Sequence, residues 1–313
     1  MPRHQFGIFA EGTRAHHHLE FHLRPGAGAA ALSSALVAVR LANADHRTNG
    51  GTNLVIGFGP ALWEVFPDAL AGPPVSAFPG YRNDAAGHHA PATQEDIWVW
   101  IHGPQPDLVI DVVRAVTAAL APVATLALDQ PGFVYHDSRD LTGFIDGTAN
   151  PFLDDAPDEA VVPDDQPGAG GCYAMSMRFV HDLDAFGALE VDDQELVFGR
   201  TKDHSVELPA GTKPADSHIG LAEVADDAGD ELVVYRRSVP WGTAAQQGLH
   251  FVSFGADVDR FDLQLRHLYG LVDPALVDRL LSFTTAVTGS FWLCPSVECL
   301  EAVAPLPADE DDD

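Results

Sequence analysis

Basic residues are scarce: 17 Lys and Arg stand against 46 Asp and Glu, for a net charge of −29. Nucleic-acid binding needs a basic footprint to neutralise phosphates, so that class of function is excluded. Cysteine is scarcer still, with only Cys172, Cys294 and Cys299. Their spacing suits neither a zinc site nor a disulfide framework, which points to a reducing compartment. No apolar run is long enough to span a membrane. Met1 to Arg14 has no apolar core of the kind a signal peptide needs. These absences together predict a soluble cytoplasmic protein with no nucleic-acid or membrane partner.

Apolar residues make up 46% of the 313-residue chain, enough to bury a sizeable core in one large domain or two ordinary ones. The acidic residues crowd at Asp154-Asp155, Asp158-Glu159, Asp164-Asp165, Asp192-Asp193, Asp226-Asp227 and Asp309 to Asp313. A solvated, solubilising surface accounts for them. Such a surface also attracts cations, Mn²⁺ and cationic dyes among them.

Leu19, Phe21 and Leu23 alternate, which predicts a strand over 15–23. His16, His17 and His18 fall within it. Adjacent strand residues face opposite ways, so the three cannot converge on one metal. Ala29 to Leu41 reads as a helix, Asn53 to Gly59 and Ile97 to His102 as strands, and Pro106 to Leu120 as a helix with a valine face. A strand begins at Val123, and Pro73 to Pro91 reads as loop. The acidic, Gly/Pro-rich stretch 154–171 also reads as loop. Beyond it the plan repeats: strands at Cys172 to Val180, Glu231 to Arg236, Leu249 to Gly255 and Ser290 to Leu293. Helices are expected at His181 to Leu189, Val258 to Tyr269 and Pro274 to Val287, the last capped by Asp273. Strand–helix–strand repeated in this way predicts α+β units with antiparallel sheets and helices on one face. The tail from Pro305 is acidic and reads as disordered.

Residues 143–151 read Gly-Phe-Ile-Asp-Gly-Thr-Ala-Asn-Pro. Asp-Gly and Asn-Pro are each turn signals on their own. The only ionisable group here is Asp146, and Gly147 lets another surface approach the backbone. Downstream stand Gly199-Arg200-Thr201-Lys202, then Ser217-His218-Ile219, Tyr235-Arg236-Arg237-Ser238, and Val277-Asp278-Arg279. The set resembles the dye-decolourising peroxidases, B-type branch, over nearly the whole chain. Phe78-Pro79-Gly80-Tyr81, Ala90 to Gln94 and Thr284 to Pro295 add to the likeness.

The resemblance implies two ferredoxin-like domains of the dimeric α+β barrel type, over 1–140 and 141–305, with an acidic tail over 306–313. It implies haem b held by the second domain, with His218 as the axial ligand to iron. Asp278 would bind the other imidazole nitrogen, or else form a surface salt bridge. Asp146 would be the proton shuttle on the peroxide side. Arg236, rather than Arg237, would be the fixed cation beside the breaking O–O bond. Ser238 stands where the branch usually has Asn, which offers more hydrogen bonds. Gly147 and Thr148 would lie against the cofactor. Arg200 or Lys202 would meet a haem propionate, or each would make a surface salt bridge. Phe251 would cover the distal haem face, or serve only as core.

The implied function is a haem peroxidase. Hydrogen peroxide would oxidise dyes, phenolic and other aromatic donors or Mn(II) through a ferryl intermediate. Electrons from large donors would hop through Trp63, Trp98, Trp100, Trp241 or Trp292, although most Trp residues simply pack. An alternative is a porphyrin-handling or iron-releasing protein with little turnover; another is a cofactor-free α+β dimer. The family also implies a homo-oligomer. Leu306 onward does not look like an encapsulin-targeting peptide.

Overall fold

The computed structural model describes residues 2–44, 51–70, 74–226 and 228–307. The expectation that the acidic tail is disordered and is not a targeting peptide falls largely outside the described residues. In the first half, β1 (Ala15–Leu23), α1 (Ala29–Leu41) and β2 (Asn53–Phe58) come first. A short α2 (Leu62–Val65) and the small hairpin β3 (Tyr81–Asn83) and β4 (His88–Ala90) follow, the latter inside the stretch read as loop. β5 (Ile97–Gly103), α3 (Pro106–Leu120) and β6 (Ala124–Phe133) complete the half.

The second half opens with α4 (Ala156–Ala160), then β7 (Cys172–His181), α5 (Leu183–Gly187), α6 (Val191–Phe198) and α7 (His218–Ala222). β8 (Tyr235–Arg236), β9 (Val239–Gly242), β10 (Gln247–Gly255) and α8 (Asp259–Leu268) follow. β11 (Thr284–Ala286), β12 (Ser290–Cys294) and α9 (Val297–Val303) end the described chain.

The stretch 154–171, read as loop, carries the short helix α4, which Pro157 opens in its first turn, and two further expectations change. The stretch predicted as strand from Glu231 pairs with β10 only at its end, Tyr235 and Arg236, and Pro240 lies in a separate β9. The helix expected over Pro274 to Val287 does not form. Asp278 accepts from Leu280 N at 2.9 Å and caps a single 3₁₀ turn, Arg279–Ser282. Thr284 to Ala286 then pair with β7, where β-branched side chains are better placed than in a helix.

The main sheet runs β6-β1-β5-β2-β12-β7-β10-β8, its neighbours antiparallel. Within each half the order is fourth-first-third-second, so the two ferredoxin-like sheets join through β2 and β12. β6 then returns against β9: a Cβ on Gly132 would stand 2.5 Å from Val239 Cγ2. The sheet is therefore nearly a closed barrel with an inner and an outer face.

Strand periodicity sorts the residues. Ile97, Val99 and Ile101 of β5 face the outer core, where α3 lies over β1 and β5 and packs with α1. Trp98 and Trp100 face the barrel interior with Val55, Val252, Phe254 and Trp292. The His triplet splits as strand geometry requires. His17 turns outward to Asp129 at 2.5 Å, while His16 and His18 ring-stack with Trp100 inside. No group of three or more possible metal-binding side chains occurs among the described residues.

In the second half, residues 182–234 replace the first helix of the βαββαβ plan. Among the described residues of this stretch the helices are short (α5, α6 and α7), and they leave the outer face of β7 and β10 lining a cavity. The space they leave is the cavity described next.

Candidate active site

Met175, Met177 and Phe179 of β7 and Leu249 and Phe251 of β10 alternate outward and floor the cavity. Leu265 and Leu268 of α8 and Ile219 of α7 add further apolar wall. About 1480 Å³ of atom-free space lies inside, counted out to its open mouth. This is a largely apolar site with a few convergent polar groups, as cofactor pockets are.

The turn bearing Asp146 is held from both sides. Arg139 bridges Ile145, and its guanidinium donates to Gly143 O and Lys202 O at 2.8 Å each. Gly143 and Gly147 have φ of +92° and +82°, which side chains other than glycine rarely adopt. Asp146 borders this cavity and a second one beside it. Burial raises its pKa above the usual carboxylate range; Arg236 acts against that, and Asp140 adds to it.

Arg236 lines the same cavity. Its neighbour Arg237 turns the other way, to Ile8 O at 2.8 Å and Ala10 O at 2.7 Å, as adjacent strand residues must. Asn150 holds Arg236 in place. Its Oδ1 accepts from Arg236 N at 3.0 Å and from Nε at 3.4 Å, and its Nδ2 donates to Arg236 O at 2.8 Å. Sequence reasoning did not assign Asn150 a role, although it is the eighth of the nine motif residues. Ser238 lies outside this cavity, in an adjoining vestibule, where its hydroxyl accepts from Val252 N at 3.3 Å. Asn150, not Ser238, is thus the side chain bonded to Arg236.

His218 opens α7, and its Nδ1 meets Asp278 Oδ2 at 2.7 Å. Asp216 and Arg279 clamp the two segments beside this pair, through Arg279 N to Asp216 O at 3.1 Å and Nε to Oδ1 at 2.7 Å. With Nδ1 donating to the carboxylate, Nε2 keeps its lone pair for a ligand in the cavity.

Arg200, Phe251, Gly147 and Thr148 also line the cavity. Arg200 pairs with Glu223 at 3.7 Å, so a wall position and a salt bridge coexist. Lys202 does not line it; its ammonium lies 5.7 Å from the Phe144 ring and 6.0 Å from that of Phe186. Thr148 Oγ1 is 3.0 Å from Ser205 Oγ. A second His, His181, also lines the cavity. Both of its ring nitrogens are engaged, by Asp140 and by Thr284, so it has none to give a metal.

The Dyp-type peroxidase N-terminal family model matches residues 5–134, and the C-terminal model residues 137–299. The chain belongs to the Dyp-type peroxidase family. A dye-decolorizing peroxidase of Mycobacterium tuberculosis is 33% identical over 82% of this chain and 76% of its own. One from Mycolicibacterium paratuberculosis is 37% identical, and the match covers 71% of this chain and 63% of that relative. Among solved structures, a Rhodococcus jostii DypB variant in complex with heme has a TM-score of 0.87. It is 31% identical, over 94% of this chain and 97% of that one. The encapsulated DyP-type peroxidase from Mycobacterium smegmatis has a TM-score of 0.88 at 29% identity, over 98% of this chain and all of that one. The Dyp-type peroxidase fold thus extends over both halves of the chain.

Proposed function

We propose that this chain is a haem b peroxidase in which His218 ligates the iron and Asp146 and Arg236 act on peroxide. One observation carries the reading. A His whose other nitrogen is fixed by a buried carboxylate shares an apolar cavity with an Arg–Asp pair. The residues fit haem: an imidazole with a free nitrogen, apolar walls for the macrocycle, and Arg200 in the wall for a propionate. Phe251, Gly147 and Thr148 complete the contact surface.

Haem, when bound, supplies the iron at which the peroxide O–O bond is broken. The chain's own residues manage charge and protons. Asp146, as carboxylate, takes the proton from the inner peroxide oxygen and returns it to the outer one. Arg236 stays protonated and faces the charge that builds on the departing oxygen. Asp278 makes the ligand imidazole more electron-donating. Dyes, phenolic donors and Mn(II) then return the electrons, the acidic surface favouring cations.

No helix among the described residues is long and apolar enough to cross a membrane. A cytoplasmic homo-oligomer remains the working picture. The 1–140, 141–305 and 306–313 division remains the proposed domain plan.

Absorption spectra of haem-reconstituted protein test the function. The wild type should show a Soret band that peroxide shifts and a donor restores. No response to peroxide would overturn the peroxidase reading. His218→Ala should lose or strongly move the band, and an unchanged ferric spectrum would sink the ligand assignment. Asp278→Ala should weaken haem retention about 10- to 100-fold, the usual cost of losing the partner of a metal-bound imidazole. Haem transfer to an excess acceptor protein would measure it.

A further inference from the structure

A second buried carboxylate–imidazole pair lines the cavity, and the reaction above does not use it. Asp140 and Asp146 each sit one residue beyond the Arg139–Ile145 bridge, at the two ends of one tight turn. Three donors fix the Asp140 carboxylate. Thr142 N and Thr142 Oγ1 reach Oδ2 at 2.9 and 2.6 Å, and His181 Nε2 reaches Oδ1 at 3.1 Å. His181 is fixed in turn by Thr284 of β11, Nδ1 to Oγ1 at 2.7 Å. With Nε2 donating to the carboxylate, Nδ1 is free to accept the threonine hydroxyl.

We propose that Asp140, clamped by His181, is a positioning residue: a fixed negative charge at the other end of the Asp146 turn that offsets the effect of the Arg236 cation on Asp146. This rests on reading Asp146 as the distal acid–base group. Four groups face Asp146: Arg236 from β8, His218 from α7, the Gly147 N–H and Asp140. Burial is the largest influence and disfavours its carboxylate form; Arg236, His218 and the Gly147 N–H favour that form, and of the four groups Asp140 alone adds to burial. Asp140 is suited to that part. Burial alone would neutralise it, but the His181 and Thr142 bonds outweigh burial and hold its pKa below the usual value. Asp140 therefore stays ionised where Asp146 titrates.

Fluoride binding to the ferric holoenzyme tests this. Fluoride enters such sites together with a proton, so its affinity falls as pH rises past the pKa of the distal acid. Asp140→Asn should move the midpoint of that fall down by about one pH unit, the scale expected for loss of a nearby like charge. His181→Gln keeps a donor for Asp140 and should leave the midpoint in place. An Asp140→Asn protein with full haem content and an unmoved midpoint would overturn the proposal. Asp146→Asn should remove the dependence altogether; if the dependence survives, the reading of Asp146 itself fails, which is a different result. The unaltered enzyme gives a readout free of any folding defect in Asp140→Asn. Its protonated-carboxyl infrared band, assigned by its loss in Asp146→Asn, should titrate above the ordinary aspartate range. Titration within that range also overturns the proposal.

Discussion

Arg236→Ala should slow the reaction with peroxide by about 10²–10³, equivalent to roughly 3–4 kcal/mol of lost transition-state stabilisation. Asp146→Ala should cost less. A guanidinium is protonated at every working pH, whereas a carboxylate acts in only one of its forms, and water can substitute as a shuttle. The two substitutions should also differ in pH dependence. Arg236 favours the ionised form of Asp146, so without it the Asp146 pKa climbs further above the usual range. The acid limb of the rate profile should then move to higher pH in Arg236→Ala and vanish in Asp146→Ala. Stopped-flow mixing with peroxide from about pH 5 to pH 8 measures both. If Asp146→Ala is the slower across that range, the ranking is wrong. Asn150→Ala should resemble a weaker Arg236→Ala, because it frees the guanidinium without removing it.

The sequence showed the sheet more clearly than the site's supports. Alternation and helical spacing are local signals, so β1, α1, β5, α3, β7 and β10 could be read with nearly their observed ends. Barrel closure could not, because it depends on Gly132 meeting Val239 across more than a hundred residues. The late helix failed for a local reason. Asp278 spends its side chain capping a turn, and Thr284-Thr285 prefer the edge of β7. The nine-residue motif and the Ser-His pair pointed to Asp146 and His218 through resemblance to a family. Nothing local ties His181 to Asp140, 41 residues apart. The use of Asn150 as the Arg236 clamp was hidden differently. Before Pro it reads as turn chemistry, and the fold puts its amide to another purpose.

The barrel interior should make the protein acid-labile well above the pH at which carboxylates protonate. His16, His18, His102 and His250 are buried there, and burial depresses all four pKa values, those of His16 and His250 to about 3. Arg237 beside His16 and His102, and Arg178 beside His250, push the same way. The rings of His18 and His250 stack at 4.0 Å, and none of their four nitrogens has a hydrogen-bond partner among the described residues to stabilise a charge. In the unfolded chain each His takes up a proton near pH 6.5. Between about pH 6.5 and pH 3 the unfolded state therefore binds up to four more protons, and stability falls as pH falls. Glu20 works against this. Its pKa is raised to about 8 by burial, so from pH 8 down to about 4.5 the folded state holds the extra proton and gains stability. For these five groups three net protons remain, or at most about 3–4 kcal/mol lost between pH 6 and pH 5, since Asp146 and Glu95, also raised by burial, act in the same direction as Glu20. That is a large share of the 5–15 kcal/mol that ordinarily separates folded from unfolded chains. Urea midpoints at pH 7, 6 and 5 should fall steeply in the apoprotein as well as the holoprotein, which separates the effect from titration at His218. His18→Phe keeps an aromatic ring against His250 and should lower the slope by about one proton. Equal midpoints at pH 7 and pH 5 would mean that the four imidazoles charge in place, within a barrel hydrated enough to accept them.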